Sequence, residues 1–118
     1  MWLMTKYGFY SIVQKLPNEY HVRSREPRDL QNLIDNVPLP GCLISESKST
    51  DYLARIIVDL DMVLKILQFV GSTLDYDNFK QRIAETPDQA HKPYHSVWKV
   101  IADRLGAYGK PGCFNKQG

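Results

Sequence analysis

The chain has 118 residues, a mass of 13.6 kDa and a formal net charge of +2, with a sequence pI near 8.5. That length suits one domain able to bury a core without metal or disulfide staples, and 43% hydrophobic with 24% charged residues excludes a disordered chain. Dedicated nucleic-acid binders usually carry a domain pI above about 9, so the charge permits such a partner without demanding one.

In chain order, Gly8 to Leu16 is rich in aromatic and β-branched residues and predicts a strand. Pro17-Asn18 is turn chemistry, and Glu19 to Arg25 predicts a second strand, antiparallel to the first. Alternation puts Tyr20 and Val22 on one face and His21, Arg23 and Arg25 on the other. Pro27 opens a helix in which Leu30, Leu33, Ile34 and Val37 follow helical spacing, and Pro38 and Pro40-Gly41 stop it. Cys42 to Glu46 then predicts a short strand, Ser47 to Thr50 a turn, and Asp51 to Val58 a strand with Tyr52, Ala54, Ile56 and Val58 facing inward. Asp59 caps a helix with the inner stripe Val63, Ile66, Leu67 and Val70, closed by Gly71 at C′. Thr73 or Asp75 caps a third helix carrying Tyr76, Phe79 and Ile83. Pro93 begins a fourth, whose wide stripe of Tyr94, Val97, Trp98, Ile101 and Leu105 is expected to pack hard.

The fold expected is α+β. Two successive β-β-α units form a four-stranded, mostly antiparallel sheet with helices on one face, and two C-terminal helices follow. Acid-Tyr-x-x-Arg occurs at both Glu19–Arg23 and Asp51–Arg55, an echo consistent with a repeated unit. Residues 1–109 form one domain in this reading and 110–118 a loose, flexible tail. Trp2, Phe9, Tyr10 and Trp98 are expected in the core.

The first six residues lack a signal-peptide layout. The longest apolar stretch, around Leu60 to Val70, is interrupted by Asp61, Lys65 and Gln68 and is too short and polar to span a bilayer. Cys42 and Cys113 form neither a zinc pair nor a disulfide framework and are expected as free thiols in a reducing compartment. A cytoplasmic protein without membrane contact is the expectation.

One constellation carries chemistry. Arg23, Arg25 and Arg55, with His21, are predicted on the sheet face opposite the core, a set of guanidiniums suited to phosphate or carboxylate. Asp51, Asn78 and Lys80 are candidate accessory groups. A solvated outer face with ordinary surface charges is the competing reading. His91 and His95 have the spacing of helical metal ligands, but Pro93 between them disrupts that geometry and no third ligand is evident, so no metal site is expected. Nucleophile-elbow and phosphate-loop motifs are absent, and Asp59, Asp61, Asp75 and Asp77 sit at helix starts, where they complement the dipole. No catalytic residue and no cofactor is assigned.

Met1-Trp2-Leu3-Met4-Thr5, Gly8 to Val13, Val22-Arg23-Ser24-Arg25 with Asp29-Leu30, Thr50-Asp51-Tyr52 with Arg55, Asp75 to Lys80, and Tyr94 with Val97-Trp98 resemble a family of small uncharacterised proteins found in bacteria and bacteriophages. That resemblance implies a bacterial or phage origin and a stand-alone domain, and it carries over no catalytic residue. The function expected first is a small interaction module that binds another protein, such as an inhibitor of host machinery. A nucleic-acid or phosphorylated-ligand binder using the arginine face is the alternative, and a small nuclease built on the same face is the second alternative.

Overall fold

The structure, a computed structural model, describes residues 1–106. Its order of elements is β1 (Trp2–Thr5), β2 (Gly8–Leu16), β3 (Glu19–Ser24), α1 (Pro27–Asn36), β4 (Ser45–Glu46), β5 (Ala54–Val58), α2 (Leu60–Ser72), α3 (Phe79–Ala84) and α4 (Tyr94–Leu105). The strands form one antiparallel sheet in the order β1-β2-β3-β5-β4.

The α+β class holds, but the sheet has five strands where four were expected. The added strand is β1. Thr5 Oγ1 accepts from the backbone N–H groups of Tyr7 (3.1 Å) and Gly8 (3.1 Å), turning the chain so that Leu3 lies opposite Tyr10. Three strands therefore precede α1, and the first 72 residues are not two equal β-β-α units. The strand expected over Cys42 to Glu46 shortens to β4, because only Ser45 and Glu46 reach a partner. Gly71 lies inside α2 rather than ending it, and Thr73 is the cap. α3 is capped by Asn78, whose Oδ1 accepts from the Gln81 N–H at 3.0 Å, rather than by Thr73 or Asp75.

The inner face of the sheet contributes Tyr10, Ile12, Val22, Ala54, Ile56 and Val58 to a core with Leu30 and Leu33 of α1 and Val63 and Ile66 of α2. Fully burying one such aliphatic side chain stabilises the fold by about 1.5–3 kcal/mol. Asn18, at φ 56°, takes the left-handed conformation in the β2–β3 turn and accepts from the Leu60 N–H at 2.9 Å, which ties that turn to the start of α2.

A polar pin fastens the segment before α4 to the start of α1. Asp29 is 1% exposed, and its carboxylate accepts from the Phe9 N–H (3.1 Å), Gln89 Nε2 (3.0 Å) and Lys92 Nζ (2.9 Å). Lys92 also donates to Gln89 Oε1 at 2.7 Å and lies 3.0 Å from Glu26. Gly8 is required here, since a Cβ at that position would stand 2.6 Å from Asp29 Cβ and 2.7 Å from the Tyr10 hydroxyl.

The stripe of α4 does not pack hard. Tyr94 and Ala102 are buried, whereas Trp98, Ile101 and Leu105 are exposed. The tail assigned to 110–118, and Cys113 with it, lies outside the described residues. Among the described residues no helix is long and apolar enough to cross a membrane.

Candidate functional site

Strand register builds the outer face. Trp2 stands opposite Ser11, Ser11 opposite Arg23, Arg23 opposite Arg55, and Arg55 opposite Ser45, so one row crosses all five strands. Arg23 and Arg55 thus share a face, as the alternation predicted. His21 and Ile57 form the next cross-strand pair of that face, on the side of the β2–β3 turn.

Like charges directly opposite each other destabilise a strand pair unless something offsets them. The offset here is neutral. Arg23 donates to Ser11 Oγ at 2.7 Å, and its guanidinium lies 4.6 Å from the Tyr52 ring centre. Arg25 donates to the Asp51 carbonyl oxygen at 2.8 Å and lies 4.7 Å from the same ring. Arg55 donates to His21 Nδ1 at 3.2 Å, while His21 Nε2 stands 3.2 Å from Glu19. The neutral tautomer with its hydrogen on Nε2 satisfies both contacts of that imidazole.

None of the three arginines forms an ion pair with a carboxylate among the described residues. Lys6, Arg28, Lys65, Arg82, Lys92 and Lys99 each do. Arg23 Nε is also buried without a hydrogen-bond partner.

Tyr52 departs from its expected inward place. β5 begins at Ala54, so residues 51–53 do not follow its alternation, and the ring is buried against Arg23 and Arg25 instead of joining the core. Trp2, expected in the core, is 69% exposed and meets Phe9 edge to face at 5.9 Å. Its exposure follows from β1, which sends Leu3 inward and Trp2 and Met4 outward.

The three accessory candidates do not gather at the arginines. Only the backbone of Asp51 is bonded to one. Asn78 caps α3, and Lys80 lies 4.0 Å from the Trp98 ring centre; both line a separate depression with Met4 and Tyr94. His91 pairs with Glu26 at 2.7 Å and His95 stacks near Trp98, so the two histidines do not converge. No group of three or more His, Cys, Asp or Glu side chains able to hold a metal exists among the described residues.

α4 starts against the β1 side of the outer face. There a cleft of about 360 Å³ is lined by residues that include Trp2, Phe9, Arg25, Tyr52, Tyr94 and Val97. Hydrogen bonds and ring contacts of Arg23 and Arg55 come from the sheet and from Tyr52, with none from α3 or α4 among the described residues. Burial, then the nearby charge of Asp29, pushes the Tyr10 phenol far above its ordinary range. Burial, then Asp29 and Glu26, does the same to Tyr94, so both phenols stay neutral.

Sequence reasoning missed Tyr52, Trp2 and the Asp29–Gln89–Lys92 pin. An alternation of Leu3 against Trp2 and Met4 was available for Trp2; the pin joins groups 63 residues apart and leaves no local signal. No family model matches the chain, and no curated protein or solved structure matches it either.

Proposed function

We propose that the protein binds single-stranded nucleic acid across the outer face of its sheet, with Arg23, Arg25 and Arg55 on the phosphates and the exposed Trp2 ring against a base. The observation that carries this reading is the directly opposed pair Arg23 and Arg55, which have only neutral partners, whereas Lys6, Arg28, Lys65, Arg82, Lys92 and Lys99 have acidic ones. A guanidinium held by Ser, His or a ring keeps donors for a bidentate phosphate contact, and a bound anion relieves the repulsion between the two. Sheet-based RNA binders use the same division, with aromatics stacking two or three bases and cations following the backbone. Trp2 lies in the same cross-strand row, three strand spacings or roughly 14 Å from Arg55.

The test is fluorescence polarisation with labelled single- and double-stranded RNA and DNA at low salt. Wild type is compared with Arg23→Ala/Arg55→Ala, whose folding is checked by circular dichroism. Single-strand binding at least about tenfold weaker in a folded variant is expected, since a hydrogen bond to a charged group contributes about 1.5–3 kcal/mol. Absence of binding by wild type, or equal binding by the variant, refutes the proposal.

A protein partner is the second reading, favoured by the exposed Trp98, Ile101 and Leu105 of α4. In a bacterial or phage setting, which the sequence resemblance suggests, that ridge is the surface to mutate. Trp98→Ala/Leu105→Ala should then abolish a stoichiometric co-purifying protein, and retention of that protein counts against the ridge.

A further inference from the structure

The cleft beside α4 adjoins the arginine face at Tyr52, whose ring carries both Arg23 of β3 and Arg25. Arg25 lies just beyond the end of that strand rather than in it as expected, and Arg25 and Tyr52 line the cleft. Its volume of about 360 Å³ stands at the small end of ligand pockets, which run from about 300 to 1,000 Å³. Aromatic side chains come from three separate parts of the chain: Trp2 and Phe9 from the paired strands β1 and β2, Tyr52 from the approach to β5, and Tyr94 from α4. Trp2 is 69% exposed and touches Phe9 only edge to face, so a Trp2 ring face is free to stack. Arg25 contributes a cation, of which one nitrogen is bonded to a backbone carbonyl.

A second observation points to a ligand with polar edges. Tyr94 is 5% exposed, and its hydroxyl is buried with no hydrogen-bond partner. Buried polar groups are rarely left so. Four other charged or titratable groups that line the cleft are already engaged with one another, with Lys92 on Asp29 and Glu26, and His91 on Glu26. The remaining recognition elements are thus ring faces, one hydroxyl and one guanidinium.

We infer that the cleft receives one unstacked nucleobase, with the adjoining phosphate on Arg25 and the base edge reaching the Tyr94 hydroxyl after a small adjustment of that ring. This rests on the proposed function, since the strand on the arginine face delivers the base. A planar ring satisfies the apolar walls, and only a ring carrying donors and acceptors answers the hydroxyl. A free nucleoside monophosphate has the same chemistry, so the test separates the two sources.

The experiment compares a short single-stranded RNA with a sugar-phosphate strand of equal length lacking bases, using wild type, Val97→Trp and Trp2→Ala. Val97→Trp fills the cleft from α4. Trp2→Ala removes an exposed ring that the core does not need, and it keeps the test open if the first variant does not fold. Wild type should prefer the base-bearing strand by at least about tenfold, within what base–aromatic stacking contributes, and that preference should fall below about twofold in the folded variants. Quenching of tryptophan emission by nucleoside monophosphates alone, lost in Val97→Trp, would assign the cleft to free nucleotides rather than to a strand and overturn the strand-delivered base. Equal wild-type affinity for the two strands, or a preference that survives both substitutions, overturns the inference and leaves the arginine reading standing. If Arg23→Ala/Arg55→Ala binds the base-free strand as wild type does, the arginine reading itself fails.

Discussion

Ile56 and Ile57 are neighbours in β5 with opposite surroundings. Ile56 is 1% exposed in the core formed with α1 and α2, and Ile57 is 56% exposed on the outer face. The same division runs through β3, where Val22 and Ser24 are fully buried and Arg23 between them stacks on Tyr52. The inner face is held by apolar contact. On the outer face two guanidiniums stand opposite each other with only neutral partners. A sheet with one face closed by a core can leave the other free for recognition, and stability and binding are then written on alternate residues of the same strands.

Substitutions can break that division, and the largest effect is expected at the polar pin. Asp29→Ala leaves Lys92, Gln89 and the Phe9 N–H without their shared acceptor. Breaking a buried ion pair by removing one partner costs about 3–5 kcal/mol, readable as a lower urea midpoint. A loss under about 1 kcal/mol would mean that Glu26 alone satisfies Lys92. Ile56→Ala should cost about 2–5 kcal/mol, while Ile57→Ala stays within about 0.5 kcal/mol; equal losses in urea melts would contradict the two-face account. Gly8→Ala forces a methyl group against Asp29 and the Tyr10 hydroxyl and should cost about 1–3 kcal/mol, measured as a fall in melting temperature.

The smallest expected effect is a pH dependence. Partial burial pushes the Glu26 carboxyl up, but hydrogen bonds from His91 and Lys92 outweigh it and hold the group below its ordinary value of 4.5. A depressed carboxylate stabilises the fold above its ordinary value, and that stabilisation is lost as pH falls through the lower folded value. Wild type should therefore exceed Glu26→Gln in stability at neutral pH, with the gap narrowing on acidification below about 4.5. A gap that widens in acid would contradict the assignment.

Much of this arrangement was legible from residue order. Period-two alternation placed Arg23 and Arg55 on one face because β3 and β5 are regular where those residues lie. It failed for Tyr52, since the chain is not in a strand at 51–53 and alternation has no force there. It was not applied to Trp2–Thr5, whose strand depends on a turn built by one threonine hydroxyl. The spacing of α4 marked an apolar stripe, but periodicity carries no information on what covers it, and Trp98, Ile101 and Leu105 are exposed. The Asp29–Lys92 contact joins distant segments that only the folded chain brings together.

The most direct test of the central claim is the salt dependence of single-strand affinity. Each phosphate contact to a single strand contributes about −0.7 to the slope of log K against log salt concentration, so three arginines predict a slope near −2. Arg23→Ala/Arg55→Ala should reduce its magnitude by about 1.4 while the inner-face variant Ile56→Ala, where folded, keeps the wild-type slope. An unchanged slope in the double variant, or no binding at the lowest salt, would contradict an arginine face built for phosphate.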